Sequence, residues 1–114
     1  MAYDEYLQER IEIILNEKKV SYRSLKMMGG LCYMVDDKMC LGIVKNDFMA
    51  RVGEEAYPNL VNRAGARPMD FTKRPMKGYI FVAPEGIDYD EDLEFWIEKC
   101  LEFNPKAAKS KKRN

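Results

Sequence analysis

The sequence predicts a two-layer α+β domain with an antiparallel sheet of about five strands, in the order α-β-β-β-α-β-β-α. Apolar residues recur at helical spacing near both ends: Leu7, Ile11, Ile14 and Leu15 at the start, and Leu93, Trp96, Ile97, Cys100 and Leu101 at the end. Between them lie short runs of β-forming residues separated by turn residues, from Leu31-Cys32-Tyr33-Met34-Val35 to Tyr79-Ile80-Phe81-Val82. At 114 residues the chain makes one domain, large enough to bury a core without disulfides or a metal.

The first helix spans residues 4–18, with Asp4 placed to cap it. Ser21 to Lys26 lead into a strand that continues through Leu31 to Val35. Gly29-Gly30 interrupt this run, and a bulge or a close backbone crossing is the expected reason. The Asp36-Asp37-Lys38 turn returns the chain through Met39 to Val44, and Lys45-Asn46-Asp47 turn it again into Phe48 to Val52, completing a three-strand meander. Gly53 opens a second helix to about Arg63, whose Pro58 belongs in its first turn, where a proline costs little. Gly65 suits the left-handed position past that helix. Ala66 to Val82 form a hairpin with a proline-bearing turn. Asp88-Tyr89-Asp90-Glu91 reads as a capping box for the last helix, which Asn104-Pro105 ends. The folded domain is expected over residues 1–104, with a basic, disordered tail over 105–114.

The central strands do not alternate. A sheet covered on one side should place polar residues at every second position, yet Leu31 to Val35 and Tyr79 to Val82 are apolar throughout. Either helices cover both faces or a partner covers one. The chain has 8 methionines, and all but Met1 fall in or beside strands, as core filling or as an adaptable binding surface. A two-residue turn at Asp36-Asp37 would pair Tyr33 with Cys40 and Cys32 with Leu41. That parity would point Cys32 and Cys40 to opposite faces. The cysteines, 3 in number, fit no metal-binding spacing and read as cytosolic free thiols.

Net charge is zero but unevenly placed. The tail carries Lys106, Lys109, Lys111, Lys112 and Arg113, and the stretch from Glu85 to Glu102 is strongly acidic. Arg67, Lys73, Arg74 and Lys77 make the central hairpin basic and are the candidate partner contacts. They are also the strongest argument for nucleic acid, against which the isoelectric point near 6.3 counts. The absence of histidine excludes imidazole-based nucleophilic systems and imidazole metal sites. Gly29-Gly30 lies outside any phosphate-loop pattern. No catalytic residue, metal or cofactor is expected. No apolar run approaches a membrane span, and the acidic, helical start is unlike a signal peptide, so the expected location is cytoplasmic.

Several segments stand in a fixed order: Met1-Ala2-Tyr3-Asp4-Glu5, Lys26-Met27 with Gly29-Gly30, Met49-x-Arg51-Val52-Gly53, Ala66-Arg67-Pro68-Met69-x-Phe71 and Pro75-Met76-Lys77-Gly78-Tyr79. Together they resemble the N-terminal domain family of the TfoX/Sxy bacterial competence regulators, over about residues 3–103. Met28 stands where the family has phenylalanine. The resemblance implies a fold like that of the type III secretion chaperones. It also implies a structural part for Lys26, Met27, Gly29, Gly30, Arg51, Gly53, Pro68, Pro75 and Gly78. It further implies a coactivator's role beside a transcription factor of the cyclic-AMP receptor type. No catalytic residues carry over. Full-length regulators add a C-terminal helical domain that these 114 residues do not include. The expected function is therefore a non-enzymatic regulatory module that binds a protein, or a second copy of itself. A nucleic-acid-binding accessory protein and a small-molecule binder or enzyme are the alternatives.

Overall fold

In the computed structural model, which describes residues 3–27, 29–69 and 77–107, the chain opens with helix α1 (Glu5–Glu17). Asp4 caps it as its sequence position requires: the carboxylate accepts from the Tyr6 amide at 2.9 Å and the Leu7 amide at 3.2 Å. Leu7, Ile11, Ile14 and Leu15 form its buried stripe.

Strands β1 (Arg23–Met27), β2 (Gly30–Val35), β3 (Lys38–Val44) and β4 (Asp47–Arg51) follow as an antiparallel meander. After the short helix α2 (Tyr57–Leu60) come β5 (Ala66–Pro68) and β6 (Tyr79–Val82). β6 pairs with both β4 and β5, so the sheet has 6 strands in the order β1-β2-β3-β4-β6-β5. Helix α3 (Asp90–Phe103) closes the fold.

The sixth strand comes from Gly29-Gly30. These glycines do not bulge one strand; they reverse the chain between two, with Met27 opposite Gly30. Gly29 takes φ +74°, which suits a turn, and Gly30 lies so close to β3 that a Cβ there would collide with the Ile43 carbonyl oxygen. The expected close backbone crossing is thus present, at a hairpin rather than within a strand.

The next turn also departs from simple pairing. Asp36 and Asp37 both have positive φ, 57° and 63°, the signature of a tight hairpin turn that matches strand twist. Val35 pairs with Lys38 and Met34 with Met39, but Tyr33 pairs with Leu41. Cys40 is the extra residue of a β-bulge. The bulge turns Cys40 into the helix-side core and sets Cys32 opposite Gly42 instead of Leu41.

Both long helices lie on one face. Leu93, Trp96, Ile97 and Cys100 of α3 and the stripe of α1 pack on Leu31, Tyr33, Leu41, Ile43, Phe48, Ala50, Ile80 and Val82. Ion pairs tie the helices together: Lys18 Nζ lies 2.8 Å from Glu98 and 3.1 Å from Glu94. The opposite face holds a second, smaller cluster of Met49, Met69 and Phe81, with Met39, Val44 and Tyr79 packed against it. This is why the central strands read as apolar throughout: each face has its own apolar cluster, and the helices cover only one of them. The methionine-rich face is not bare, since Cys32, Met34, Met49, Met69 and Phe81 are all buried.

Two helix ends differ from their sequence readings. α2 is a single turn with Pro58 in it, shorter than a helix reaching Arg63. The residue preceding α3 is Tyr89, which makes no side-chain cap, so Asp88 does not head a capping box. Arg10 of α1 instead anchors the segment that leads into the helix. Its guanidinium donates to the Ile87 carbonyl at 2.8 Å, the Asp88 carbonyl at 3.3 Å and the Asp90 carboxylate at 3.2 Å.

At its other end α3 is locked to the β2–β3 hairpin. Lys38 Nζ donates to the carbonyls of Asn104 (3.2 Å) and Pro105 (3.3 Å), and Asn104 Nδ2 donates back to the Val35 carbonyl at 3.2 Å. Lys38 is only 8% exposed. A cation on the last carbonyls of a helix satisfies orphan acceptors and complements the dipole. A 3-10 turn over Asn104–Lys106 continues the chain to a buried Ala107, past the boundary expected at 104. The tail from 108 onward and the hairpin turn over 70–76 lie outside the described residues.

Candidate functional site

Two motif segments that are distant in sequence meet at one end of the sheet. The amides of Val52 and Gly53 both donate to the Gly78 carbonyl, at 2.8 and 3.1 Å. Gly53 and Gly78 take φ +88° and +87°, where a side chain is strained. Space is as restrictive as φ: a Cβ on Gly53 would stand 2.5 Å from the Phe103 ring, and one on Gly78 would stand 3.0 Å from the Gly53 carbonyl carbon.

This crossing positions Arg51. Its guanidinium donates to the Met39 carbonyl at 3.1 Å and stands 5.5 Å from the Tyr79 ring centre and 5.7 Å from that of Phe103. Arg51, Gly53, Glu54, Lys77, Gly78, Tyr79 and Phe103 line a shallow cleft of about 220 Å³. Arg51 and Lys77 against the single acid Glu54 favour an anionic group there. Among the described residues the cleft is lined by no serine, threonine or cysteine, and it is smaller than the roughly 300–1,000 Å³ of ordinary small-molecule sites.

The residues expected to contact a partner are not all in one place. Lys77 is exposed at the cleft. Arg67 is already engaged: its guanidinium lies 2.6 Å from Asp47 and 5.1 Å from the Phe81 ring centre. Arg67 pairs with Phe81, four residues beyond Lys77, so these cations occupy different ends of the hairpin. Lys73, Arg74 and Pro75 lie outside the described residues. Of the motif residues, Lys26 and Met27 are exposed on β1, away from the cleft. Pro68 sits opposite Ile80 on the edge strand β5, where a missing N–H is tolerated. Sequence reasoning missed Phe103 and Glu54, which reach the cleft only through the path of α3 and the turn after β4.

A larger groove of about 390 Å³ lies between α2 and α3, lined by Val52, Leu60 and Phe103 with Glu55, Glu102, Lys99 and Lys106 at its rim. Lys99 and Glu102 pair with each other at 3.5 Å. Among the described residues no three His, Cys, Asp or Glu side chains are grouped to hold a metal, and no helix is long and apolar enough to cross a membrane.

All three cysteines are free and buried. Burial pushes the Cys32 thiol up to about 11 and Cys40 up to about 12, against a smaller opposing pull from the Arg51 charge. Burial raises Cys100 well above the usual thiol range. At neutral pH these are small hydrophobes rather than nucleophiles. Iodoacetamide at pH 8 is expected to label the native protein roughly a hundredfold more slowly than the urea-unfolded chain, in proportion to the lost thiolate. Mass spectrometry over a time course checks this, and native labelling as fast as unfolded labelling would contradict it.

A sequence model of the TfoX N-terminal domain matches residues 17–104 of this chain. No curated protein and no solved structure matches it.

Proposed function

The chain belongs to the TfoX N-terminal domain family, and from that premise we propose that it is a non-enzymatic regulatory module that works by binding another protein. The supporting observation is the motif cleft. The Arg51–Gly53 and Lys77–Tyr79 segments cross through Gly78 to hold one arginine between two rings beside an exposed lysine. A concavity of this size, with two cations and an aromatic wall, accommodates one acidic side chain of a partner rather than a metabolite. The partner proposed is a transcription factor of the cyclic-AMP receptor type, with the domain as its coactivator in a competence-type response. A nucleic-acid ligand is disfavoured because Arg67, one of the hairpin cations, is already neutralised by Asp47.

The test is the association rate of the purified protein with a purified cyclic-AMP receptor-type factor, measured by surface plasmon resonance. Charged residues at the rim of an interface act mainly on encounter, so Lys77→Glu is expected to slow association by roughly fivefold to tenfold at low salt while dissociation changes little. Circular dichroism should be unchanged, since the Lys77 side chain is exposed. Undetectable binding of the unaltered protein, or an unaltered rate in the variant, would overturn the assignment.

A further inference from the structure

The two edges of the sheet are built differently. β5 is 3 residues long, carries Pro68, and has its cation paired with Asp47. Those are the usual protections of an edge against added strands. β1 at the other edge is 5 residues long, contains no proline and keeps an unbroken register with β2 from Arg23↔Met34 to Met27↔Gly30. All of β1 is exposed, and among the described residues no strand pairs with its outer side. Leu25 and Met27 are 39% and 42% exposed, large apolar side chains without cover.

The register tells which way each side chain points. Leu25 pairs with Cys32, and Arg23 with Met34, so Arg23, Leu25 and Met27 lie on the methionine-rich face. Ser24 pairs with Tyr33 and Lys26 with Leu31, so these two lie on the helix side. β1 itself has two cations and no acid. The acid that reaches it is Asp37, 3.6 Å from Arg23, with both side chains more than half exposed.

We infer that the outer edge of β1 accepts an extended acidic segment of another protein as a seventh strand, with apolar residues set against Leu25 and Met27 on one face and a carboxylate set against Lys26 on the other. The inference deepens the interaction-module reading and rests on it for the existence of a partner. The backbone edge supplies affinity, and the alternate side chains supply selection. Charge decides against a second copy of the chain as the occupant. Antiparallel self-pairing centred on Leu25 would set the two Lys26 side chains diagonally across the same face, with no acid on either strand to offset them.

The test uses two blocked seven-residue peptides, one alternating leucine with glutamate and one alternating leucine with lysine, titrated into the full chain. The glutamate peptide is expected to bind at least about tenfold tighter, and at saturation to slow amide exchange in β1 selectively. Lys26→Glu should reverse the preference between the peptides, whereas Lys77→Glu should leave it unchanged. Equal binding of both peptides, no binding, or protection mapped away from β1 would overturn the proposal. So would self-association of the unaltered protein that protects β1 and is lost in Leu25→Glu. Each of these leaves the receptor-factor test of the motif cleft standing, so failure here is separable from failure of the module reading.

Discussion

Gly30→Val should cost about 3 kcal/mol or more of folding free energy, read as a large fall in the urea midpoint. The new Cβ would collide with the carbonyl oxygen of Ile43, which is backbone in the neighbouring strand. A flexible side chain can swing away from such an intrusion, but β3 cannot move without loosening its ladders to both β2 and β4. Gly29→Ala provides the control. Gly29 has φ +74° but nothing within 4 Å of its Cβ position, so that change carries only the conformational cost of about 1–2 kcal/mol. Equal losses for the two variants would show that turn conformation alone governs this site. An unchanged midpoint for Gly30→Val would remove the close approach as an explanation of the glycine.

Lys38→Met is expected to cost about 2–3 kcal/mol, because it removes a charged donor from two carbonyls and leaves buried acceptors without it. Methionine keeps most of the stem volume, so the loss reports the ammonium group rather than a cavity. For a domain of this size that corresponds to a melting temperature lower by roughly 10 °C or more. Asn104→Ala breaks the return bond to Val35 and acts on the same junction, so the double variant should lose less than the sum of the two single losses. Strict additivity, or a Lys38→Met variant as stable as the parent, would show that the β2–β3 turn and the end of α3 hold their positions independently.

Local chemistry made much of this fold legible. The stripes of α1 and α3 follow from spacing alone, and Asp4 is a cap by position and side-chain type. What depended on pairing was less legible. Gly29-Gly30 has the same composition whether it bulges one strand or reverses between two, and only the register Met27↔Gly30 decides. The Cys40 bulge leaves no mark in composition, so the pairing drawn from the two-residue turn shifted by one residue even though the turn is present and Cys32 and Cys40 do face opposite sides of the sheet. Asp88 has the right type for a cap, but the helix starts one residue later than that role requires, and a long-range arginine holds the Ile87 and Asp88 carbonyls in place. The candidate site was half visible. Arg51, Gly53, Lys77 and Gly78 stand out as ordered segments, while their meeting point depends on tertiary placement of Phe103, which no local pattern marks.

That both long helices cover one face, with α3 last in chain order, gives the domain a schedule during synthesis. Every strand is synthesised before α3. At about 5–20 residues per second, roughly one to four seconds separate the end of β6 from the end of α3. Through that interval Tyr33, Leu41, Ile43 and Phe48 have only α1 to shield them, since the Trp96 and Ile97 side of the core has not yet been made. Arg10 and Lys18 wait on α1 through the same interval with their future carboxylate partners still untranslated.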